Sequence, residues 1–256
     1  MNRIQQLFKD KKEKILSVYF TAGFPKLDDT VPTLQILESK GVDLIEVGVP
    51  FSDPLADGVV IQNSSQQALK NGMSIRKLFD QLTGIRDSVK IPLVMMGYLN
   101  PILQFGFEKF CSECNRVGVD GMIIPDLPMA DFLNEYKIIA EKYKLEFIFL
   151  ITPETSEDRI REIDSHTDGF IYMVSSAAVT GTQSSFDNRI DYFNRINAMN
   201  LKNPRLIGFG ISNKSTLDTV NQYASGAIIG SAFIKTLQET QDVEKGVELL
   251  LKKLRE

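Results

Sequence analysis

The run Leu44-Ile45-Glu46-Val47-Gly48-Val49 is short and almost wholly apolar, with a single carboxylate near its centre. Runs of the same kind, rich in Val, Ile, Leu and Phe, recur at residues 15–22, 43–49, 91–98, 121–125, 146–151, 169–175, 205–210 and 226–230. Such runs are typical of parallel strands that are covered on both faces. Helical patterns lie between them, at residues 30–40, 75–87, 107–117, 130–143 and 215–223. Eight strand-then-helix units in 256 residues predict an α/β fold of the closed (β/α)8-barrel type, with an open doubly wound sheet as the alternative.

The composition is that of an ordinary globular protein, with 43% apolar and 24% charged residues and a net charge of −4. The basic residues are not clustered, so we expect no nucleic-acid partner. The sequence contains no stretch of about 18 apolar residues, so we expect no membrane-spanning helix. The polar start, residues 1–14, is unlike a secretory signal, so we expect a cytoplasmic location. No linker or shift in composition interrupts the chain, and residues 1–256 are therefore predicted to form a single catalytic barrel domain.

The two cysteines form a Cys-x-x-Cys pair, Cys111 and Cys114, inside a helical pattern. A zinc site needs about four ligands, and the one histidine, His166, is distant in sequence. We therefore expect these cysteines to pack in the core and expect no metal site.

Glu46 is the first candidate for chemistry. Alternation along a strand sends Ile45, Val47 and Val49 towards the helices and Glu46 into the barrel. A buried carboxyl group responds with a raised pKa, which suits it to exchange protons near neutral pH. The alternative is a structural glutamate paired with a buried cation. The runs contain no Lys or Arg except Arg205, at the start of one strand, which favours the functional interpretation.

The longest gaps between strand starts follow strands 2 and 6, so extra length lies in the loops on the carboxyl-terminal face of the barrel, where active sites of this fold are built. The loop after strand 2 carries two aspartates, Asp53 and Asp57. Both lie in turn-forming pairs, and composition alone does not decide between them.

A phosphate site is predicted where strands 7 and 8 end. Gly210 follows strand 7, Gly230 and Ser231 open a helix after strand 8, and Gly181 of loop 6 could add a contact. Backbone N–H groups at a helix N-terminus bind phosphate well, so we expect this site to use the backbone and not a cationic clamp.

Residue types that the predicted strands lack exclude some reaction mechanisms. No lysine lies inside a predicted strand, which disfavours a Schiff-base aldolase, and a single histidine disfavours a metal-dependent one. Acid–base chemistry by carboxylates on a phosphorylated substrate remains.

Five segments resemble the tryptophan synthase alpha chain family, and the similarity runs essentially from end to end. They are Glu46-Val47-Gly48-Val49-Pro50-Phe51-Ser52-Asp53-Pro54-Leu55-Ala56-Asp57-Gly58, Thr21-Ala22-Gly23-Phe24-Pro25, Met96-Gly97-Tyr98-Leu99-Asn100-Pro101, Pro125-Asp126-Leu127-Pro128 and Gly208-Phe209-Gly210-Ile211. The resemblance implies a TIM barrel with an extra N-terminal helix. It also implies a carbon–carbon lyase of tryptophan biosynthesis that cleaves indole-3-glycerol phosphate to indole and glyceraldehyde 3-phosphate.

The resemblance also implies roles for single residues. Glu46 and Asp57 would be catalytic: Asp57 would take or stabilise the indole N–H proton, while Glu46 would protonate C3 and deprotonate the glycerol hydroxyl. Thr180 would orient Asp57. The indole slot and other substrate contacts map to Phe20, Ile61, Met96, Ile123, Tyr172, Thr180 and Phe209, and the phosphate contacts to Gly181, Gly210, Gly230 and Ser231.

The family further implies a partner, a tryptophan synthase β chain that carries pyridoxal phosphate, in an α2β2 heterotetramer; no cofactor is expected in this chain. Apolar loops on the catalytic face, such as Pro54-Leu55, agree with a docking surface. Loop 6 departs from many relatives at Ser176 and Ala178, where they carry Arg and Gly. The alternatives are a stand-alone indole-releasing lyase, a non-catalytic regulatory barrel and another phosphate-binding barrel enzyme.

Overall fold

The computed structural model describes residues 1–175, 186–208 and 210–256, with side chains from residue 190 onward in the helix that begins at Phe186. The strands are β1 (Ile15–Thr21), β2 (Leu44–Gly48), β3 (Leu93–Met96), β4 (Gly121–Ile123), β5 (Glu146–Phe147), β6 (Leu150–Ile151), β7 (Ile171–Val174), β8 (Arg205–Gly208) and β9 (Gly226–Ile229). The α-helices are α1 (Arg3–Asp10), α2 (Thr30–Ser39), α3 (Val59–Lys70), α4 (Ile75–Leu82), α5 (Leu99–Phe105), α6 (Phe107–Val117), α7 (Met129–Asp131), α8 (Lys137–Lys142), α9 (Glu157–His166), α10 (Phe186–Ala198), α11 (Lys214–Val220), α12 (Ser231–Thr240) and α13 (Val243–Arg255).

These strands form one parallel sheet in the order β5-β4-β3-β2-β1-β9-β8-β7-β6. The two edge strands are consecutive in the chain and separated only by Ile148 and Phe149. Backbone bonds continue the pairing on both sides of this seam, from Ile148 N to Met122 O at 3.0 Å and from Tyr172 N to Phe149 O at 3.0 Å. The sheet therefore curls round into a barrel, and the predicted parallel α/β barrel is confirmed.

Some predicted elements are broken in the structure. The predicted strand at 146–151 is two short segments, because its first part pairs with β4 and its second with β7. The predicted helix at 75–87 ends at Leu82 and gives way to a 3-10 turn at Ile85–Asp87, since Gly84 adopts a positive φ of 78°. The predicted helix at 130–143 contains a π-helical segment at Phe132–Tyr136 between α7 and α8.

The two faces of the sheet have separate cores, as alternation requires. The outer cluster lies under the helices and contains Ile45, Val47 and Val49. The inner cluster fills the barrel and contains Leu44, Val94 and Phe170. The predicted facing of β2 is therefore confirmed.

Helix α1 covers the end of the barrel at which the strands begin. Asn2 caps the helix through its side chain, which accepts bonds from the Ile4 and Gln5 amides. Ile4 is completely buried in the inner cluster. The Arg3 guanidinium donates to the Asp120 carboxylate at 2.9 Å, which ties α1 to the chain before β4. The opposite end, where the strands finish, remains for a site.

Cys111 and Cys114 are buried in α6, with the Cys111 Sγ 3.9 Å from the Met122 Sδ. Burial raises the pKa of Cys111 to about 12. Within the described ranges, no group of three or more His, Cys, Asp or Glu side chains is arranged to hold a metal ion. In the same ranges, every helix is too short or too polar to cross a membrane.

Candidate active site

Glu46 lies inside the barrel on β2, opposite Tyr19 of β1 in the pairing register. Its side chain is fully buried. Oε1 accepts a hydrogen bond from the Ser17 hydroxyl at 2.9 Å, whereas the buried Oε2 has no partner among the described residues. Burial raises the pKa of Glu46 to about 8, and the bond from Ser17 opposes this only in part. None of the described ion pairs includes Glu46, and its raised pKa favours the protonated carboxyl group at neutral pH.

Asp57 is placed by the start of α3. Gly58 is the N-cap of that helix, and the Gln62 side-chain amide reaches back to the Asp57 carbonyl oxygen at 2.8 Å. Asp57 is 6% exposed. Burial raises the pKa of Asp57 to about 6, and a hydrogen bond from the Tyr98 hydroxyl partly offsets the rise. The carboxyl group of Asp57 is therefore mostly ionised at neutral pH, in contrast to Glu46.

Tyr98 joins the loop after β2 to the end of β3. Its hydroxyl accepts a bond from the Ala56 amide at 2.9 Å, and its ring lies 5.5 Å from the Phe51 ring. The second loop aspartate, Asp53, is exposed and accepts a bond from the neighbouring Ser52 hydroxyl at 2.5 Å. The structure therefore separates the two aspartates that composition left equal.

A cavity of about 450 Å³ opens where the strands end. The predicted site residues that line it are Asp57, Ile61, Met96, Tyr172, Gly210, Gly230 and Ser231. Ile123 lies in the inner cluster but does not line the cavity, and Glu46 lies beside it, close to the lining residues Tyr19 and Tyr172. Around Asp57 the wall combines this carboxylate with aromatic and aliphatic side chains, which suits a flat apolar ring with a polar edge.

The prediction for Phe20 is wrong. Phe20 pairs with Val47, which faces the helices, and is completely buried in the outer cluster. Tyr19, one residue earlier, lines the cavity in its place. The error is a slip of one residue along β1, which reverses the face of a strand on which a side chain lies.

Two inward tyrosines lie over glycines of the neighbouring strands. A Cβ atom at Gly48 would lie 2.2 Å from the Tyr19 hydroxyl oxygen, and one at Gly208 would lie 2.4 Å from that of Tyr172. Neither position can carry a side chain while the ring keeps its place. The glycines of β2 and β8 therefore make room for the two rings that line the cavity.

The phosphate end of the cavity lies at the start of α12. Gly230 is the N-cap and has no side chain to cap the helix. No described residue accepts a bond from the Ser231 or Ala232 amide, so these two amides can bind a ligand. A Cβ at Gly230 would lie 3.7 Å from Tyr19 and 3.8 Å from Ile61, both lining residues, and would reduce the space of the cavity. Gly210 has a φ of 79°, which favours glycine.

Five residues named from the sequence lie outside the described residues: Ser176, Ala178, Thr180, Gly181 and Phe209.

Sequence reasoning missed three residues of the site: Tyr19, Tyr98 and Lys235. The alternation of β1 could have indicated Tyr19, because it shares a strand face with the polar Ser17 and Thr21. Tyr98 stands within a quoted motif but carried no predicted role. Lys235 lies four residues after Ser231 on α12, a spacing that places both on one helix face.

Comparisons with known proteins agree with one another. The family described as tryptophan synthase alpha chain matches residues 5–256. The tryptophan synthase alpha chain of Bacteroides thetaiotaomicron is 60% identical over 248 residues, covering 96% of this chain and 97% of the relative. That of Flavobacterium johnsoniae is 62% identical over 241 residues, covering 94% and 95%. The crystal structure of tryptophan synthase subunit alpha from Legionella pneumophila str. Paris has a TM-score of 0.89 at 31% identity, covering 100% of this chain and 97% of that one.

Proposed function

This chain belongs to the tryptophan synthase alpha chain family, and on that premise we propose that it cleaves indole-3-glycerol phosphate to indole and glyceraldehyde 3-phosphate. The reaction is a retro-aldol cleavage of a carbon–carbon bond. It needs an acid for indole C3, a base for the glycerol hydroxyl and a group that accepts or stabilises the indole N–H proton. We assign the first two roles to Glu46 and the third to Asp57.

The observation that carries this assignment is the burial of two carboxyl groups at one cavity, one lining it and one beside it, with pKa values that burial raises to different extents. Glu46, with a pKa of about 8, is protonated at neutral pH and can donate a proton to indole C3. Asp57, with a pKa of about 6, is mostly ionised and can stabilise the positive charge that develops on the indole nitrogen. Once Glu46 has given up its proton, its carboxylate can remove the proton of the glycerol hydroxyl. Two carboxyl groups with different pKa values can in this way divide acid and base roles.

The substrate fits the cavity in one direction. The phosphate would bind at the amides of α12, beside Gly230 and Ser231, and the indole ring would lie between the aromatic and aliphatic side chains near Asp57. Glu46 does not line the cavity, so its carboxyl group must rotate towards C3 when substrate is bound. Its unpartnered Oε2 makes this rotation inexpensive, because the bond from Ser17 holds only Oε1.

The experiment that tests this function incubates the purified chain with indole-3-glycerol phosphate and measures both products. We expect indole and glyceraldehyde 3-phosphate in equal amounts. Asp57→Asn should lower the rate by at least about 100-fold, in the range typical of a lost acid–base group. Asp53→Asn is the matched control, in the same loop but exposed, and it should keep most of the activity. Equal losses in both variants would reject the role of Asp57.

We also propose that the chain binds a tryptophan synthase β chain, which would carry pyridoxal phosphate, in an α2β2 complex. Exposed apolar residues on the segments that follow β2 and β3 support this surface: Leu55 is 87% exposed, Val59 67% and Leu103 43%. Indole is small and apolar, so a partner over the cavity would keep it from escaping. If the chain is instead a stand-alone lyase, this apolar surface would remain exposed to solvent.

Co-sedimentation with the cognate β chain tests the partner. We expect Leu55→Asp to weaken the complex at least about tenfold, because a charge would be buried at the contact. Ile138→Asp is the matched control, since Ile138 is 74% exposed on α8. No complex at micromolar concentrations with the native chain would favour the stand-alone lyase, and equal effects of the two variants would place the contact elsewhere.

A further inference from the structure

The cavity continues past the phosphate end to a charged rim. Lys235, Glu239 and Lys253 line the same cavity as Gly230 and Ser231. The sequence predicted a phosphate site made of backbone groups and a helix N-terminus, with no cation. Two lysines at the edge of that site call for a separate account.

Lys235 lies on the same helix face as Ser231, one turn further along α12. Residues spaced by four positions on a helix have Cβ atoms about 5–6 Å apart. The lysine ammonium sits on a flexible four-carbon stem, so it can reach an anion that is held at the first turn of its own helix. Lys235 is exposed, and no hydrogen bond of its side chain to another described residue is seen.

Of the two lysines at this rim, Lys235 is the one whose charge no described carboxylate neutralises. Glu239 lies four residues further along α12, but its carboxylate is engaged by Lys253 of α13, with an Nζ–Oε2 distance of 3.6 Å. Among residues 1–175, 190–208 and 210–256, no carboxylate lies within ion-pair distance of the Lys235 ammonium. The rim therefore offers one neutralised lysine and one free positive charge beside the free amides of α12.

We propose that Lys235 binds the phosphate dianion of the substrate and so selects phosphorylated over unphosphorylated indole-glycerol. This proposal takes the identity of the substrate from the proposed function, but it does not depend on the cleavage reaction. The amides of α12 fix the position of the phosphate, and Lys235 adds a charge that the backbone does not supply. The phosphate does not change during the cleavage, so Lys235 contributes equally to the ground state and the transition state and acts on KM, not on kcat.

The test compares Lys235→Gln with Lys245→Gln as the control, because Lys245 is exposed on α13 and is not among the described residues that line the cavity. Lys235→Gln should raise the KM for indole-3-glycerol phosphate about three- to tenfold and leave kcat within about twofold, as expected for one solvent-exposed charge. Lys245→Gln should change KM less than about twofold. Lys235→Arg, which keeps the charge, should restore most of the affinity. With unphosphorylated indole-glycerol, Lys235→Gln should behave as the native chain does.

A binding measurement separates this proposal from the proposed function. Calorimetric titration with glycerol 3-phosphate needs no turnover. Lys235→Gln should raise the Kd for glycerol 3-phosphate by the same three- to tenfold, about as much as one charge contributes. As the salt concentration rises from about 0.05 M to about 0.5 M, the Kd of the native chain should increase more steeply than that of the variant, because salt screens the charge of Lys235.

Each outcome decides one question. If the native chain releases no indole but Lys235→Gln still weakens glycerol 3-phosphate binding, the proposed reaction fails and the phosphate role of Lys235 stands. If the native chain is active but KM and the glycerol 3-phosphate Kd are unchanged in Lys235→Gln, the role of Lys235 is wrong. The Tm should be unchanged in all three variants, which excludes a folding defect as the cause.

Discussion

At the scale of single residues, the two buried carboxyl groups should give the reaction a bell-shaped pH dependence. Asp57 must be ionised, which requires a pH above about 6, and Glu46 must be protonated, which requires a pH below about 8. The kcat/KM profile reports the groups of the free enzyme, so we expect it to rise through about pH 6 and fall through about pH 8. Asp53→Asn should keep both limbs. A rate that rises steadily from pH 5 to about pH 9 would contradict the acid role of Glu46.

The same residue should make stability depend on pH. The raised pKa of Glu46 means that its bound proton contributes stability that is complete below about pH 4.5 and is lost as pH rises through about 8. Glu46→Gln removes this dependence because the amide stays neutral. We expect the Tm of the variant to equal that of the native chain near pH 4.5 and to exceed it by about 5 °C or more at pH 8. The exposed Glu13→Gln serves as control; a lower Tm for Glu46→Gln at pH 8 would mean that the folded protein needs the carboxylate.

The contact between Tyr19 and Gly48 predicts a non-additive pair. Gly48→Ala places a Cβ 2.2 Å from the Tyr19 hydroxyl oxygen, so the ring must move out of place. We expect a loss of about 1–3 kcal/mol in the free energy of unfolding, as for other overpacked cores, together with weaker substrate binding. Adding Tyr19→Ala should recover part of the stability that Gly48→Ala loses, which urea unfolding of the four proteins measures. If the two stability changes simply add in the double variant, contact with the Tyr19 ring is not what requires glycine at position 48.

At the scale of elements, α1 and β3 meet at one buried carboxylate. Asp120 accepts bonds from Arg3 at 2.9 Å, from Arg86 at 2.6 Å and from the Leu93 amide at 3.0 Å, and its side chain is 2% exposed. The three partners come from α1, from the turn after α4 and from β3. The carboxylate therefore joins the amino-terminal helix to the start of the barrel strands, far from the cavity.

Removal of Asp120 should cost stability but not catalysis. Asp120→Ala leaves Arg86 half-buried without its anion, and we expect a loss of about 3–5 kcal/mol in the free energy of unfolding. Asp168→Ala is the control, because that carboxylate is 74% exposed and lies 3.7 Å from Lys202, and it should cost less than about 1 kcal/mol. Well below the Tm, kcat should be unchanged in both. A large fall in kcat for Asp120→Ala would show coupling between the two ends of the barrel.

The strands could be predicted from sequence because each is a short apolar run, and their order follows from the strand–helix alternation. Finer details needed tertiary information. The seam at Ile148 depends on which strand each half of the run meets, and the face of Phe20 depends on the register of β1 with β2. Glu46 could be predicted because β2 alternates cleanly. β1 also alternates, with Ser17, Tyr19 and Thr21 on the face of Glu46, so its pattern could have indicated Tyr19 in place of Phe20. The role of Asp57 over Asp53 needed the fold of its loop and the position of Tyr98.

At the scale of the whole molecule, the barrel separates stability from chemistry. The Asp120 cluster and α1 hold the end at which strands begin, while the cavity, its two tyrosines and the amides of α12 lie where strands end. Among the described residues, neither Glu46 nor Asp57 forms an ion pair, and burial of such carboxyl groups lowers stability and is typical of functional sites. The exposed apolar Leu55 lies on the loop that carries Asp57, and the exposed Val59 begins α3 directly after it, so a partner docked there would contact the elements that position this carboxylate.

Indole release from indole-3-glycerol phosphate by Glu46→Gln is the most direct test of this account. The glutamine keeps the shape of the side chain but can neither donate the proton to C3 nor remove that of the glycerol hydroxyl. We expect a folded protein with a Tm no lower than that of the native chain, unimpaired glycerol 3-phosphate binding and a rate at least about 1000-fold lower. A folded Glu46→Gln variant that releases indole within a few-fold of the native rate would contradict it.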